Sequence, residues 1–419
     1  MSFSTGGHSD LIWRRKVTDA EDHHDVSSLT VVDRRGLEYR CPHNLTCLRV
    51  VEGMDVTVVR ADQVGSLLRP AELLAARSEY ANGTRSEASL REVEDEAILA
   101  VLGRQQEVGI EVLSDGELRR TSWITEMADA VDGFASQSRT VEWRGPGGGT
   151  EVSTSKVVGG KLQRHRRLAG TDTSFLAEHV PAGSYKITLP AASNFYVMGW
   201  QDGVSDAAYS SREEMMVDIV AILREEIEEL LADGVSYIQL DSPFYSHFID
   251  ESARERLRAA GEDPDVALAE AVGYDNACLV GLSGSATLAL HVCRGNSRGR
   301  WYAEGGYEPI AEVLFGTLEV DRFLLEYDSK RDGDFSPLRF LPEEKDAVLG
   351  LVSTKGEALE DPKVLLERID EAARVVPLER LALSPQCGFA SVADGNPISE
   401  EAQWEKLGLV VQLAQRVWS

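Results

Sequence analysis

Short apolar runs recur along the chain from about residue 56, each closed by polar or glycine-marked turns, and most are separated by stretches with helical spacing. They read as strands over 56–62, 110–117, 185–190, 236–241, 286–293, 322–327, 347–352 and 380–383. Between them, apolar residues at helical spacing predict helices over 86–108, 211–232, 265–283 and 362–374, with a last one over 400–417. Gly109 and Gly234 are stop signals for the first two. Eight strands alternating with helices match a (β/α)8 TIM barrel, an α/β fold around a parallel sheet.

The polar residues fall in step with that reading. Gly65 and Ser66, Asp115 and Glu117, Asp241, His291 and Cys293, Glu326, Lys355 and Cys387 all lie at or just past the carboxyl end of a run. In a barrel, that end of the strands carries the reactive groups. Residues 1–53 lack a clear period and read as an N-terminal extension to a barrel over 54–419. Residues 132–183 are polar, with a glycine-rich turn after Arg144, and read as a hairpin-like excursion inserted after the second strand.

Composition narrows the function classes. Of 419 residues, 43% are apolar, enough for a large core, and 70 acidic against 43 basic side chains leave a net charge of −27. Nucleic acid and anionic membrane surfaces both call for basic patches, so neither is an expected partner. No run reaches the roughly eighteen apolar residues of a membrane helix, and the polar N-terminus has no signal-peptide core, so a cytoplasmic location is expected. The five cysteines, Cys41, Cys47, Cys278, Cys293 and Cys387, do not form a disulfide-like framework. Cys41 and Cys47, with His43 between them, lack a partner pair that would complete a metal cluster.

The run 286–293 ends in His291-Val292-Cys293, and strand side chains two apart share a face, so the imidazole and the thiol project together. That makes half a metal site. Glu326 and Cys387, at two later strand ends, offer the other half, and such a set of N, S and O donors suits tetrahedral Zn2+. Structural zinc sites tend to use closely spaced cysteine pairs, whereas these donors are remote in sequence, which favours a reactive centre. A zinc-bound thiol loses its proton near neutral pH and stays nucleophilic, so the set suits alkylation of a substrate sulfur. Glu117 and Asp241 at the same rim suit the ammonium of an amino-acid thiol. Taken singly, each residue has a plainer account: a satisfied core histidine, small buried thiols, strand-end carboxylates, and for Lys355 a solvated cation. Their joint placement outweighs it.

In order along the chain, Ala61-Asp62-Gln63-Val64-Gly65-Ser66, Leu113-Ser114-Asp115-Gly116-Glu117, Ile238-Gln239-Leu240-Asp241-Ser242-Pro243, His291-Val292-Cys293, Leu325-Glu326 and Ser384-Pro385-Gln386-Cys387-Gly388 resemble the catalytic barrel of the cobalamin-independent methionine synthases. The resemblance runs from about Val56 to the C-terminus and implies a short, single-barrel member moving a methyl group from a methyltetrahydrofolate to homocysteine. It implies His291, Cys293, Glu326 and Cys387 as zinc ligands. Ser66, Glu117 and Asp241 fall where the family holds the homocysteine carboxylate and ammonium. Two motifs depart: Asp241-Ser242-Pro243 replaces Asp-Glu-Pro, and Ser353-Thr354-Lys355 replaces an Asp-x-His turn whose histidine protonates the leaving folate nitrogen. Lys355 and Asp241 are therefore the candidate catalytic residues.

Two alternatives keep the barrel. An epoxide-opening, coenzyme M-type thiol transferase would use the same zinc, with Arg298 or Arg300 on the sulfonate, although two carboxylates at the rim repel that group. The other is a non-catalytic barrel that binds zinc or a pterin. The expected partners are a small-molecule thiol and a methyl or alkyl donor, with a homo-oligomer left open.

Overall fold

The computed structural model describes residues 59–418 together with a short antiparallel ribbon, β1 (Thr30–Val32) with β2 (Glu38–Arg40). The chain divides into Met1–Val58, which holds the ribbon, and Val59–Ser419, which holds the remaining elements. Cys41, His43 and Cys47 lie outside the described residues. In the second unit β3 (Val131–Trp143) and β4 (Gly149–Arg164) form a long antiparallel hairpin. Six strands then build one parallel sheet: β5 (Ile187–Pro190), β6 (Tyr237–Asp241), β7 (Thr287–Val292), β8 (Arg322–Glu326), β9 (Asp346–Val352) and β10 (Leu381–Pro385). Neighbours in the sheet are neighbours in the sequence.

Parallel strands need crossovers, and helices supply most of them. Arg212–Ala232 links β5 to β6, Pro264–Leu279 links β6 to β7, Glu308–Thr317 links β7 to β8, and Pro362–Ala373 links β9 to β10. Side-chain caps start several helices: Ser211 accepts from Glu214 N, Asp263 from Asp265 N and Asp361 from Lys363 N. Helix Glu87–Val108 begins at Ser86 and ends at Gly109, whose φ of 90° is a left-handed stop. Helices Ala71–Ala81 and Glu251–Ala259 add to the expected set; most of their side chains face solvent, so no apolar stripe marks them.

The first two expected strands are present as single parallel bridges at the two edges of the sheet. Ala61 pairs with Leu383 beyond β10, and Leu113 pairs with Tyr185 ahead of β5. The physical reason is that side chains take the backbone groups a ladder would use. Arg60 N donates to Glu111 Oε2 (2.6 Å), Gln63 Nε2 to the Val112 carbonyl (3.1 Å) and Ser114 Oγ to the Gly65 carbonyl (2.8 Å). Gln105 satisfies both Ser114 N (3.0 Å) and Ser114 O (2.8 Å). One backbone bond, Leu67 N to Gly116 O (3.0 Å), completes this seam between the two segments.

Alternation along the strands separates two cores. Val64, Val112, Tyr237, Ala289, Leu324, Val348 and Ala382 pack together as the inner set. Their chain neighbours, such as Ile238, Leu290, Phe323, Leu325, Leu349 and Leu383, join the larger core that includes the helices. Counting by twos from the inner set reaches Gln239 and Asp241 on β6, His291 on β7 with Cys293 just past it, and Glu326 on β8. The inner face therefore turns polar toward the carboxyl ends of the strands. It also holds a buried ion pair lower down: Lys186 Nζ lies 2.9 Å from Asp62 Oδ1, with both side chains fully buried. Asp62 Oδ2 accepts from Tyr237 OH (2.7 Å) and Arg322 Nη1 (3.4 Å).

The expected excursion is the β3–β4 hairpin followed by helix Gly170–His179. Its tip docks on the loop after β7. Arg144 and Trp301 exchange backbone hydrogen bonds (2.6 and 3.3 Å), Arg144 Nη1 pairs with Asp250 (2.6 Å), and Arg300 grips Glu151 through two bonds (2.6 and 2.9 Å). Gly145, at φ 88°, abuts the Trp301 ring, where a Cβ would fall 2.3 Å from the nearest ring atom. No helix among the described residues is long and apolar enough to cross a membrane.

Burial works to raise the Asp62 pKa, but Lys186 and Arg322 outweigh it and the net direction is down. A carboxylate with a depressed folded pKa contributes stability above its unfolded pKa and loses it as pH falls through the folded one. Asp62→Asn is therefore expected to cost about 3–5 kcal/mol at pH 7 by leaving Lys186 unpaired. In chemical denaturation the gap to the native chain should narrow below about pH 4; a gap independent of pH would contradict the pairing.

Candidate metal and thiol site

Strand register brings the candidate ligands together. On adjacent strands Asp241 is paired with His291, and His291 with Leu324. His291 Nδ1 faces the Leu324 carbonyl at 3.2 Å; a carbonyl only accepts, so Nδ1 carries the proton and Nε2 presents its lone pair. Nε2 is buried with no partner among the described residues. Cys293 and Cys387, from two different strand ends, place their sulfurs 3.9 Å apart, and the donor atoms of His291, Cys293 and Cys387 all lie within 4.8 Å of one another. Two sulfurs on one tetrahedral zinc, with bonds of about 2.3 Å, stand about 3.8 Å apart. The donor set and its spacing fit the metal.

The charges fit too. A hydrogen bond from the Cys293 thiol lowers the Cys387 pKa, and His291 and Lys355 add to that against the effect of burial. Cys387 is the first of the pair to become thiolate. Burial works to lower the His291 pKa, but the Cys387 sulfur and the Asp241 and Glu326 carboxylates outweigh it and the net direction is up.

Glu326 stands apart from that trio. Its oxygens group instead with those of Asp328 and Asp332. It is fully buried and held by cations: Arg331, Lys355 Nζ at 3.1 Å and the backbone N–H of Arg294. Burial opposes its ionisation, but Lys355, Arg331 and Arg294 pull its pKa down to about 2. Lys355 is correspondingly committed: burial would lower its pKa, yet Glu326 outweighs that and raises it.

Glu117, Asp241 and Ser66 converge on the same rim. Glu117 has a positive φ of 54°, unusual for a residue with a side chain and a mark of local strain. Its Oε1 accepts from Thr188 Oγ1 (3.1 Å), and Oε2 is buried without a partner among the described residues. Gly65, at φ 144°, makes room for it, since a Cβ there would fall 3.0 Å from Glu117 Oε1. Burial raises the Glu117 pKa. Burial also raises Asp241, to about 7, with Glu117 adding to the push and His291 opposing it. Ser66 packs against the loop that carries Cys387: a Cβ on Gly388 would lie 1.8 Å from Ser66 Oγ.

Several participants carry no mark in the chain's motifs. Arg120 is buried beside Glu117 (3.8 Å) and donates to Thr188 Oγ1 (2.8 Å). Tyr302 stands in an aromatic row, 5.9 Å from Trp143 of the hairpin tip and 6.0 Å from Phe244, which is 6.0 Å from Trp123. Tyr302 N donates to the carbonyl of Arg294, the residue after Cys293 (3.1 Å), which puts this ring of the row beside the ligand-bearing strand end, and burial raises its pKa, with the charges of Cys293, Glu326 and Cys387 adding to it. Gln239 was detectable as a polar residue two before Asp241, hence on the same face. Arg298 and Arg300, the candidate sulfonate anchors, are both committed, to Asp394 (2.6 Å) and Glu151 (2.6 Å).

An α/β chain with sulfur and imidazole donors gathered at the carboxyl ends of parallel strands carries a candidate metal-thiolate centre. The family model for the catalytic domain of cobalamin-independent synthases matches residues 60–415, and the chain belongs to that family of methyltransferases. It is 36% identical over 366 residues to the Bacillus subtilis uncharacterized protein YxjH, covering 86% of this chain and 94% of that one. It is 23% identical over 336 residues to the methionine synthase of Thermococcus kodakarensis, covering 80% and 88%. A crystal structure of the putative vitamin-B12 independent methionine synthase from Listeria monocytogenes superposes with a TM-score of 0.68 at 28% identity, covering 86% of this chain and 98% of the other.

The purified chain is expected to carry about one tightly bound metal ion. His291→Ala and Cys387→Ala should each remove most of it in elemental analysis. Undiminished metal in both variants would end the ligand assignment.

Proposed function

We propose that this chain is a zinc-dependent enzyme of the cytoplasm that transfers a methyl group to the sulfur of homocysteine, giving methionine. In this reading residues 54–419 close into a (β/α)8 barrel and residues 1–53 form an extension. Closure is supported by the side-chain seam between the segments around Ala61 and Leu113, which joins the two edges of the parallel sheet. The observation that carries the function is the convergence of His291, Cys293 and Cys387, whose donor atoms all lie within 4.8 Å of one another.

His291, Cys293 and Cys387 would hold the zinc, with Glu326 as a fourth, displaceable ligand. A substrate thiol bound to zinc there would lose its proton more readily and stay anionic at neutral pH. The remaining work falls to the chain's own side chains. Glu117 and Asp241 hold the substrate ammonium, and Ser66 contacts its carboxylate. Arg331 and Lys355 keep Glu326 ionised beside the other donors, and Lys355 is assigned to that role more than to proton donation. The aromatic row from Trp143 to Trp123 shields the reacting sulfur from water. In the transfer the sulfur lone pair forms the new S–C bond, the donor's bond to that carbon breaks, and the donor keeps the electron pair and takes a proton.

The epoxide-opening alternative is disfavoured. Two carboxylates at the rim repel a sulfonate, and the buried Arg300 is held by Glu151 through two bonds. The test is S-alkylation by the metal-loaded enzyme with a panel of methyl and alkyl donors. Homocysteine should be methylated with a methyltetrahydrofolate or a related methyl donor, and coenzyme M should not replace it. Asp241→Asn should raise the KM for homocysteine about 10-fold or more, the loss of a charged hydrogen bond. Equal turnover of coenzyme M, or an unchanged homocysteine KM in that variant, would overturn the reading.

A further inference from the structure

The buried ion pair beneath the site is connected to it. Lys186 Nζ, besides meeting Asp62 Oδ1, donates to Gln239 Oε1 at 2.7 Å and to the Gln63 carbonyl. Three donors meet three acceptors. Gln239 is fully buried, and its Nε2 donates to the Val64 carbonyl (2.7 Å) and to Asp241 Oδ1 (2.7 Å).

An ammonium can only donate. The oxygen of the Gln239 amide must therefore face Lys186, and its NH2 must face Asp241. An amide that is otherwise free to flip is fixed by chemistry at one end, and it fixes the acid at the other. Asp241 Oδ1 is thereby held as an acceptor, leaving Oδ2 for a ligand. Asp62 fixes Lys186 in turn, supported by Tyr237 and Arg322. The chain Asp62, Lys186, Gln239, Asp241 runs from the inner core to the rim without a break. A core ion pair that served packing alone would have no need of the amide or of its contact with a rim carboxylate.

We propose that Lys186 and Gln239 are positioning residues for the amine-binding carboxylate of Asp241, so that the enzyme's selection of amino-acid thiols depends on a lysine buried beneath the site. The inference rests on the reading of Asp241 as the ammonium contact. It predicts a defect confined to ligands that carry an amine.

The experiment compares binding of homocysteine with binding of 4-mercaptobutyrate, the same thiol acid without its amine, to the metal-loaded enzyme by calorimetry. Two variants are used: Gln239→Met, and Asp62→Asn combined with Lys186→Met, which removes both charges of the pair together and so avoids a lone buried ion. In each, the Kd for homocysteine should rise about 10-fold to 100-fold, the loss of a hydrogen bond to a charged group. The Kd for 4-mercaptobutyrate and the metal content should stay within about twofold of the native values. Equal weakening of both thiols, or an unchanged homocysteine Kd, in a variant that folds would overturn the proposal. If the native enzyme itself binds the two thiols equally, the ammonium role of Asp241 fails, and this inference fails with it.

Discussion

Removing an ionised side chain from water costs several kcal/mol unless an opposite charge and a full set of hydrogen bonds replace the solvent. The inner face of this sheet is arranged around that constraint. Asp62 is met by Lys186, Arg322 and Tyr237, Glu326 by Arg331 and Lys355, and Glu117 by Thr188 and the nearby Arg120. Against that background the unsatisfied atoms stand out. Among the described residues several buried polar atoms lack partners, and two of them, His291 Nε2 and Glu117 Oε2, belong to the groups that gather at the strand ends.

Strand parity decides which charges enter this environment. Tyr237, Gln239 and Asp241 share one face of β6; Ala289 and His291 share one face of β7, with Cys293 next in step; Arg322, Leu324 and Glu326 share one face of β8. A slip of one residue in any of these strands would send its polar set into the apolar layer against the helices. Ala289 and Ala382 pack with Tyr237 in this inner set, and Lys186 and Arg322 are buried.

Much of this was legible before any coordinates. The parallel strands from β5 to β10, the helix closed by Gly109 and the excursion after the second strand follow from spacing and stop signals, because periodicity of two or 3.6 directly records which face is buried. The pairing of His291 with Cys293 follows from the same rule. The shortening of the first two strands does not. Gln63, Gln105 and Glu111 look like ordinary polar residues, and only their positions in space show that they take backbone groups from the ladder. The partners of Arg298 and Arg300 were hidden for a related reason: Asp394 and Glu151 are remote in sequence, and exposed-looking cations give no sign of where they end.

By itself the sequence determined the order of elements, the face each strand turns inward and the residue types available for chemistry, all of which depend on local alternation and on composition. Tertiary structure decided which remote donors meet. It brought Cys387 to Cys293, set Glu326 among cations, and linked Lys186 through one amide to Asp241. Such choices depend on register and distance between strands far apart in the chain, and the strength of every charge interaction varies with that distance and with the loss of water around it.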